Sequence, residues 1–341
     1  MISIELASEH IHIAQGSGGK NKASISRIVS LPMPDRIVKN GQIVGPEELA
    51  AILMEGLSEN GFKGKTLDFM IDSTTVKTKR IEIPNDKREK MIELVKYELA
   101  KVTADEEHIV DYVVHNEYKA GGKKLADCVA FAVPRTLVKS CVDTCDVMKY
   151  KVNEINLLND AIIKLLEMTD SSLKLKKEIK ATQKNKVKNK KTKGMATSKD
   201  KEDEEIKAIS KNAPLRLWVG LYYRKIKIFA TNGKGEITVT TIMNQQSVSS
   251  ENDSFAKEIA AFYIREIQKF IQMQSGLYSE RNLESIEVFG ENDYLSQICN
   301  VASDLFKVPV NLLKVPKGIS GVTQSDFAKY AGVIGAIARR G

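Results

Sequence analysis

The chain has 341 residues, 42% hydrophobic and 28% charged, with a formal net charge of +8 at pH 7, and that length gives two globular units room for a core each. No apolar run approaches the ~20 residues of a membrane-spanning helix and no basic-then-apolar leader opens the chain, so the sequence predicts a cytoplasmic protein. The charge is not a nucleic-acid footprint: Ser171 to Lys201 holds twelve lysines against Glu178 and Asp200, which leaves the remainder of the chain at −2 and argues against a basic face on folded elements.

From Ser3 to Gln15, Ile4 and Leu6, then Ile11, Ile13 and the small Ala14, alternate with polar residues on either side of the tetrapeptide Ala7 to His10. That period-2 pattern predicts two strands joined by a tight turn. His10 and His12 share one face of the second strand. The pairing suits a metal, but the sequence offers no third ligand nearby, and the pair is read as structural or surface, with no metal expected. Gly16-Ser17-Gly18-Gly19-Lys20 looks like a piece of a phosphate-binding loop yet fails its spacing, with Ala14 at the first glycine position and a strand, Ala23 to Leu31, where a helix is needed. Gly64-Lys65-Thr66 fails in the same way. Both are expected to be turns.

Leu31-Pro32-Met33-Pro34 ends the third strand and Asn40-Gly41 makes a tight turn. Pro46 starts a helix with Glu47 and Glu48 in its first turn, where carboxylates suit the positive end of the helix dipole. A strand from Lys79 to Ile83 closes at Pro84. The helix from about Asp86 to Val102 places Met91, Leu94, Val95, Leu99 and Val102 at core spacing. Strands near His108 to Tyr118 and Leu125 to Val133 follow, then a helix from Arg135 to Met148. The order strand, helix, strand, strand, helix suggests an inserted subdomain. Asp105, Glu106 and Glu107 form a charged lead-in rather than a catalytic pair, and His108 and His115 are isolated strand histidines. Four cysteines, Cys128, Cys141, Cys145 and Cys299, form no metal pair and are too sparse for a disulfide framework; Cys141 and Cys145 lie one helical turn apart on a buried face.

Val152 to Leu157 returns to the parent sheet and a helix runs to Met168. Residues 169–213 are rich in Lys, Asn and Thr and have no aromatic residue. They predict a disordered linker: a solvated spacer, or alternatively a contact for anionic lipid headgroups, but without the stacking surfaces single-stranded nucleic acid requires. Beyond it the opening pattern recurs. Leu215 to Gly220 reads as a strand into a glycine turn, Lys225 to Ala230 and Glu236 to Ile242 as two more strands, and Phe255 to about Met273 as a long helix. Leu283 to Phe289 is a strand ending at Gly290, followed by a helix (Tyr294 to Phe306), a short strand (Val308 to Leu313) and a last helix from Asp326 to Ala338. That last helix is apolar nearly all round, which makes it core and not a membrane-binding tail.

Several stretches, in this order, look like the pattern of the PilM type IV pilus assembly family, actin-like relatives of the cell-division protein FtsA. They are Leu31-Pro32 through Asn40-Gly41-Gln42-Ile43 to Pro46-Glu47-Glu48-Leu49, then Arg80-Ile81-Glu82-Ile83-Pro84, Asp111-Tyr112 and Tyr330-Ala331-Gly332. The resemblance covers the chain outside the linker and rests on the order and spacing of these motifs. It implies an α/β, actin-like (RNase H-like) duplicated fold with an inserted small subdomain. The expected division is 1–78 with 150–168 as the first actin-like subdomain, 79–149 as the insertion, 169–213 as the linker and 214–341 as the second half.

In that family ATP lies between two glycine turns and a glycine pair near the adenosine. The resemblance maps this site onto Glu5, Ala7 and Ser8 in the first turn, Gly220 in the second and Gly290 at the adenosine. Glu5 then replaces an aspartate, Ala7 a glycine and His12 a lysine, and Trp218 takes the place of the second aspartate. Together these losses leave neither the cradle nor the metal site that phosphoryl transfer relies on. The resemblance therefore implies a pseudo-ATPase scaffold with no catalytic residues and no cofactor, at the inner face of the cell membrane, bound to the N-terminal cytoplasmic tail of a bitopic PilN-like protein and working beside the pilus motor ATPase. The tail would dock on Arg80, Ile81 and Ile83 of a strand and Leu94, Val95 and Tyr97 of a helix. Self-association is compatible with it, and nucleic acid is not an expected partner. The alternatives are an actin-like ATPase of the same machinery that still binds ATP and magnesium, and an FtsA-like membrane-associated filament protein.

Overall fold

The apolar alternation around Ala7 to His10 builds a three-stranded meander, β1 (Ile2–Leu6), β2 (His10–Gly19) and β3 (Lys22–Pro32). Successive pairs are antiparallel, with Ile4 opposite Ile13 and Glu5 opposite His12. All five residues of β1 are buried, so Ser3 and Glu5 are carried inside with the isoleucines. The computed structural model describes residues 1–103, 107–169, 215–231, 237–243, 253–278 and 283–338. The expected linker at 169–213 lies outside them, except for Thr169. The chain forms two compact units, Met1–Met33 with Asn156–Gly341, and Pro34–Ile155. The expected insertion at 79–149 falls wholly within the second.

In the first unit β16 (Ile319–Ser320) adds to β3 in parallel. The glycine-rich stretch expected to be a turn is instead the end of β2. Lys20 and Asn21, the latter at φ 53°, make the reversal. The reason is packing: a Cβ on Gly18 would lie 1.8 Å from the Ile337 carbonyl oxygen, so only glycine lets the C-terminal helix approach the strand. That terminal segment is two helices, not the single one expected. α7 (Gln324–Lys329) stops at Tyr330, whose φ/ψ of −103°/22° is non-helical, and α8 (Ala331–Ile337) restarts there with every residue buried. Alanines and glycines on α8 let it pack against α4 (Leu158–Thr169), β1 and β2.

A second sheet in this unit has the order β13-β12-β11-β14-β15. β11 (Leu215–Tyr222), β12 (Lys225–Thr231) and β13 (Ile237–Met243) repeat the antiparallel meander. β14 (Leu283–Phe289) and β15 (Val310–Leu312) extend the other edge in parallel. α5 (Asp253–Tyr278) contributes the buried Tyr263, Ile264, Ile267 and Phe270, and α6 (Leu295–Phe306) contributes Leu295, Ile298 and Ala302.

In the second unit the Asn40-Gly41 turn forms as expected between β4 (Val38–Lys39) and β5 (Gln42–Ile43), both residues at positive φ. α1 (Pro46–Glu59) carries Pro46 in its first turn and packs on α3 (Arg135–Met148). β6 (Thr66–Ile71) neighbours β10 (Lys151–Leu157). The strands β7 (Lys77–Pro84), β9 (Lys123–Pro134) and β8 (His108–Ala120) form an antiparallel sheet in that order, covered by α2 (Arg88–Ala100) through Met91, Val95 and Leu99. Among the described residues no helix is long and apolar enough to cross a membrane.

Candidate functional site

The turn between β1 and β2 is closed by the Ala7 N–H donating to the His10 carbonyl at 3.0 Å. Ala7 is not in the left-handed region, so alanine fits where the family pattern has glycine. The turn's next two N–H groups converge on one side chain. Ser8 N–H donates to Glu291 Oε1 at 2.9 Å and Glu9 N–H to Glu291 Oε2 at 3.1 Å. The hairpin between β11 and β12 adds a third donor, Tyr223 N–H to Oε1 at 3.2 Å. A fully buried carboxylate is therefore held by backbone donors from both meanders. Burial by itself would raise this carboxyl; the His10 ring, the Glu9 N–H, His12 and the Ser8 N–H outweigh it and hold it below the usual carboxylate range.

Gly290 places Glu291 there. Its φ is 118°, and a Cβ would lie 2.4 Å from the Leu221 carbonyl oxygen, so the chain can cross the end of β11 this closely only as glycine. The sequence marked Gly290 but not Glu291, which carries no motif of its own. Around the carboxylate the turns are latched further. Arg224 Nε donates to Glu9 Oε1 at 2.8 Å, and Lys329 Nζ to Asp293 Oδ1 at 2.6 Å.

Beneath the turn lie the two histidines. His10 Nδ1 stands 3.7 Å from Glu291 Oε2, and His12 Nδ1 3.8 Å from Glu5 Oε2. His12 and Glu5 are buried, the Tyr330 ring meets the His12 ring edge-on with centroids 4.9 Å apart, and Gly332 packs its backbone against the Glu5 carboxylate. The break between α7 and α8 is what brings the tyrosine to the imidazole.

The expected residues are thus partly assembled. Glu5, Ala7, Ser8 and Gly290 belong to this neighbourhood; Gly220 is placed differently. It is not in a turn but inside β11, opposite Lys227. Counting back from the turns, Leu221↔Ile226 encloses as many residues as Leu6↔Ile11, so Gly220 and Lys227 hold the places of Glu5 and His12, and Trp218 that of Ser3. Trp218 lies one pleat repeat, about 6.6 Å, farther from the turn than the place of the second aspartate that the resemblance implies for it. Lys227 is buried, and its Nζ donates to Asn159 Oδ1 at 2.9 Å.

The expected partner-docking residues also separate. Ile81, Ile83 and Val95 are core of the second unit and cannot meet a partner. Leu94 and Tyr97 are exposed, at 37% and 68%. Arg80 is bound to Asp127 by a two-pronged ion pair.

No protein-family model and no curated protein matches the sequence. Solved structures do: a PilM-PilN type IV pilus biogenesis complex matches over 98% of this chain and 97% of that one, with a TM-score of 0.67 at 11% identity. The fold is actin-like. An actin-like ATPase fold protein of unknown function from Bacteroides thetaiotaomicron aligns over 98% of this chain and 94% of that one (TM-score 0.43, 11% identity), and the ethanolamine utilization protein EutJ from Carboxydothermus hydrogenoformans over 98% and 88% (TM-score 0.45, 10% identity). The paired meander turns aim backbone N–H groups at one place, a geometry suited to an anion. In this chain three of those groups meet Glu291.

Proposed function

We propose that the protein is an actin-like scaffold of a type IV pilus or related secretion machine, holding the cytoplasmic tail of a PilN-like single-pass membrane protein at the inner membrane face without nucleotide turnover. The observation that carries this reading is the Glu291 carboxylate seated on the Ser8, Glu9 and Tyr223 N–H groups. A carboxylate carried by the chain itself and already bonded to these donors competes with any phosphate for them. Gly220 in place of an acid on β11 further removes a group that could orient a metal-bound water. The likeness to a structure of a PilM-PilN complex supports the choice of partner.

The docking surface we favour is smaller than the sequence suggested. Pro84, Leu94 and Tyr97 line an open groove on the second unit, rimmed by Asp86, Glu89, Lys90 and Glu93. Beside it, among the described residues, β7 is an edge strand paired to β9 alone, so an extended tail can add main-chain hydrogen bonds while its apolar side chains sit on Leu94 and Tyr97. Three acids against one lysine favour a basic tail. A photo-crosslinker at Tyr97 should capture a single-pass membrane protein in cells, and one at Val142, also exposed, should not. Equal capture at both positions, or ATP hydrolysis by the purified chain with magnesium, would overturn the proposal.

A further inference from the structure

The histidine pair under the first turn has a third donor that the sequence did not reveal. One nitrogen each of His10 and His12 and one oxygen of Glu291 lie within 4.8 Å of one another. His12 is completely buried, yet neither of its ring nitrogens has a hydrogen-bond partner among the described residues; His10 Nδ1 and Glu5 Oε1 are likewise unpartnered. A neutral imidazole sealed in with both nitrogens unsatisfied is costly, and buried polar groups in folded proteins are almost always matched. Unmatched ring nitrogens of both histidines beside a buried carboxylate oxygen make a place for a positively charged partner.

We propose that His10, His12 and Glu291 form a binding site for a borderline divalent transition cation, with zinc as the reference ion. Two imidazole nitrogens and one carboxylate oxygen suit zinc, whereas magnesium and calcium prefer oxygen-only shells. Tetrahedral zinc, with bonds of about 2.0–2.1 Å, needs its ligand atoms about 3.4 Å apart. The set must therefore draw in slightly, and His10, with its side chain 27% exposed, is the member free to move and the route of entry. Glu5, 3.8 Å from His12 Nδ1, is placed to accept that ring's second N–H and so orient it, as carboxylates behind metal-bound histidines do. Glu291 keeps the Ser8 and Tyr223 N–H groups at Oε1 and offers the ion the second lone pair of Oε2, which also accepts from the Glu9 N–H. The ion then ties β2 to the segment after β14, joining the first meander to the second sheet of the first unit. This inference does not depend on the pilus reading.

The test uses the full-length, tag-free chain stripped with a chelator and titrated with zinc chloride, then with cobalt chloride. One zinc per chain, a melting temperature that rises with zinc, and the intense visible absorption of four-coordinate cobalt are expected. His10→Gln and Glu291→Gln should each weaken zinc binding at least tenfold, while His108→Gln leaves it unchanged. His10→Gln alters a partly exposed side chain, so the metal-free variant should stay folded, with a far-UV circular dichroism spectrum matching wild type, which separates loss of metal from loss of fold. No saturable binding at one equivalent, or equal affinity in wild type and His10→Gln, would overturn the site.

Discussion

Gly332 and Gly335, one turn apart on α8, set how closely this helix lies on its neighbours. A Cβ at 332 would fall 2.2 Å from Glu5 Oε2, and one at 335 would fall 2.5 Å from the Ala161 carbonyl oxygen of α4. The first obstacle is a side chain that can shift; the second is backbone and cannot. Gly335→Ala should therefore destabilise the chain by about 2–3 kcal/mol and Gly332→Ala by about 1 kcal/mol, read as the difference in urea midpoint. The general helix preference for alanine over glycine, about 1 kcal/mol, acts the other way; equal or improved stability at 335 would show that α8 does not sit this close.

Among the elements, α3 shows how burial sets chemistry. Its inner face holds Leu137, Cys141, Cys145 and Met148, and burial, reinforced by the neighbouring Cys145, pushes the Cys141 thiol up to about 12. Burial and the adjacent Asp146 push Cys145 up to about 11. Neither forms thiolate at pH 8, so Ellman's reagent should leave both untouched in the native chain and label them once urea unfolds it. This pair was readable from its spacing alone, as were the Asn40-Gly41 hairpin, the ends of α3 and both meanders, because each follows from local periodicity or a turn residue's backbone preference. What was not readable depended on residues far apart. Gly18 reads as a loop residue until Ile337 arrives beside it, and Tyr330 sits in an apolar run until its ring is needed against His12. Gly220 was assigned to a turn because the hairpin end, Tyr222 to Lys225, has no glycine to announce it. Glu291 is an ordinary acid after a glycine; only the topology delivers it to Ser8 and Glu9.

For the whole molecule, Asp68 contributes to pH dependence with a sign opposite to that of Glu291. Asp68 is buried on β6, which raises its pKa above the ordinary 3.8 even though the Asn153 amide donates to it at 2.7 Å. Between the unfolded value and that raised value the folded chain binds more protons than the unfolded one, so this group's contribution to stability falls as pH climbs through the interval. Asp68→Asn retains the acceptor oxygen and removes the charge. It should be more stable than wild type at pH 7 and close to it at pH 3, measured as urea midpoints at each pH. A larger gap at pH 3 than at pH 7 would contradict the assignment.

The seating of α8 against β1 and β2 also constrains how the molecule can come to exist. The all-buried β1 obtains cover from residues 331–337, which a ribosome makes long after it. During synthesis the hairpin of β1 and β2 must wait for that helix with its isoleucines bare, so this unit cannot close until residues 331–337 have emerged, and chaperone protection matters in that interval.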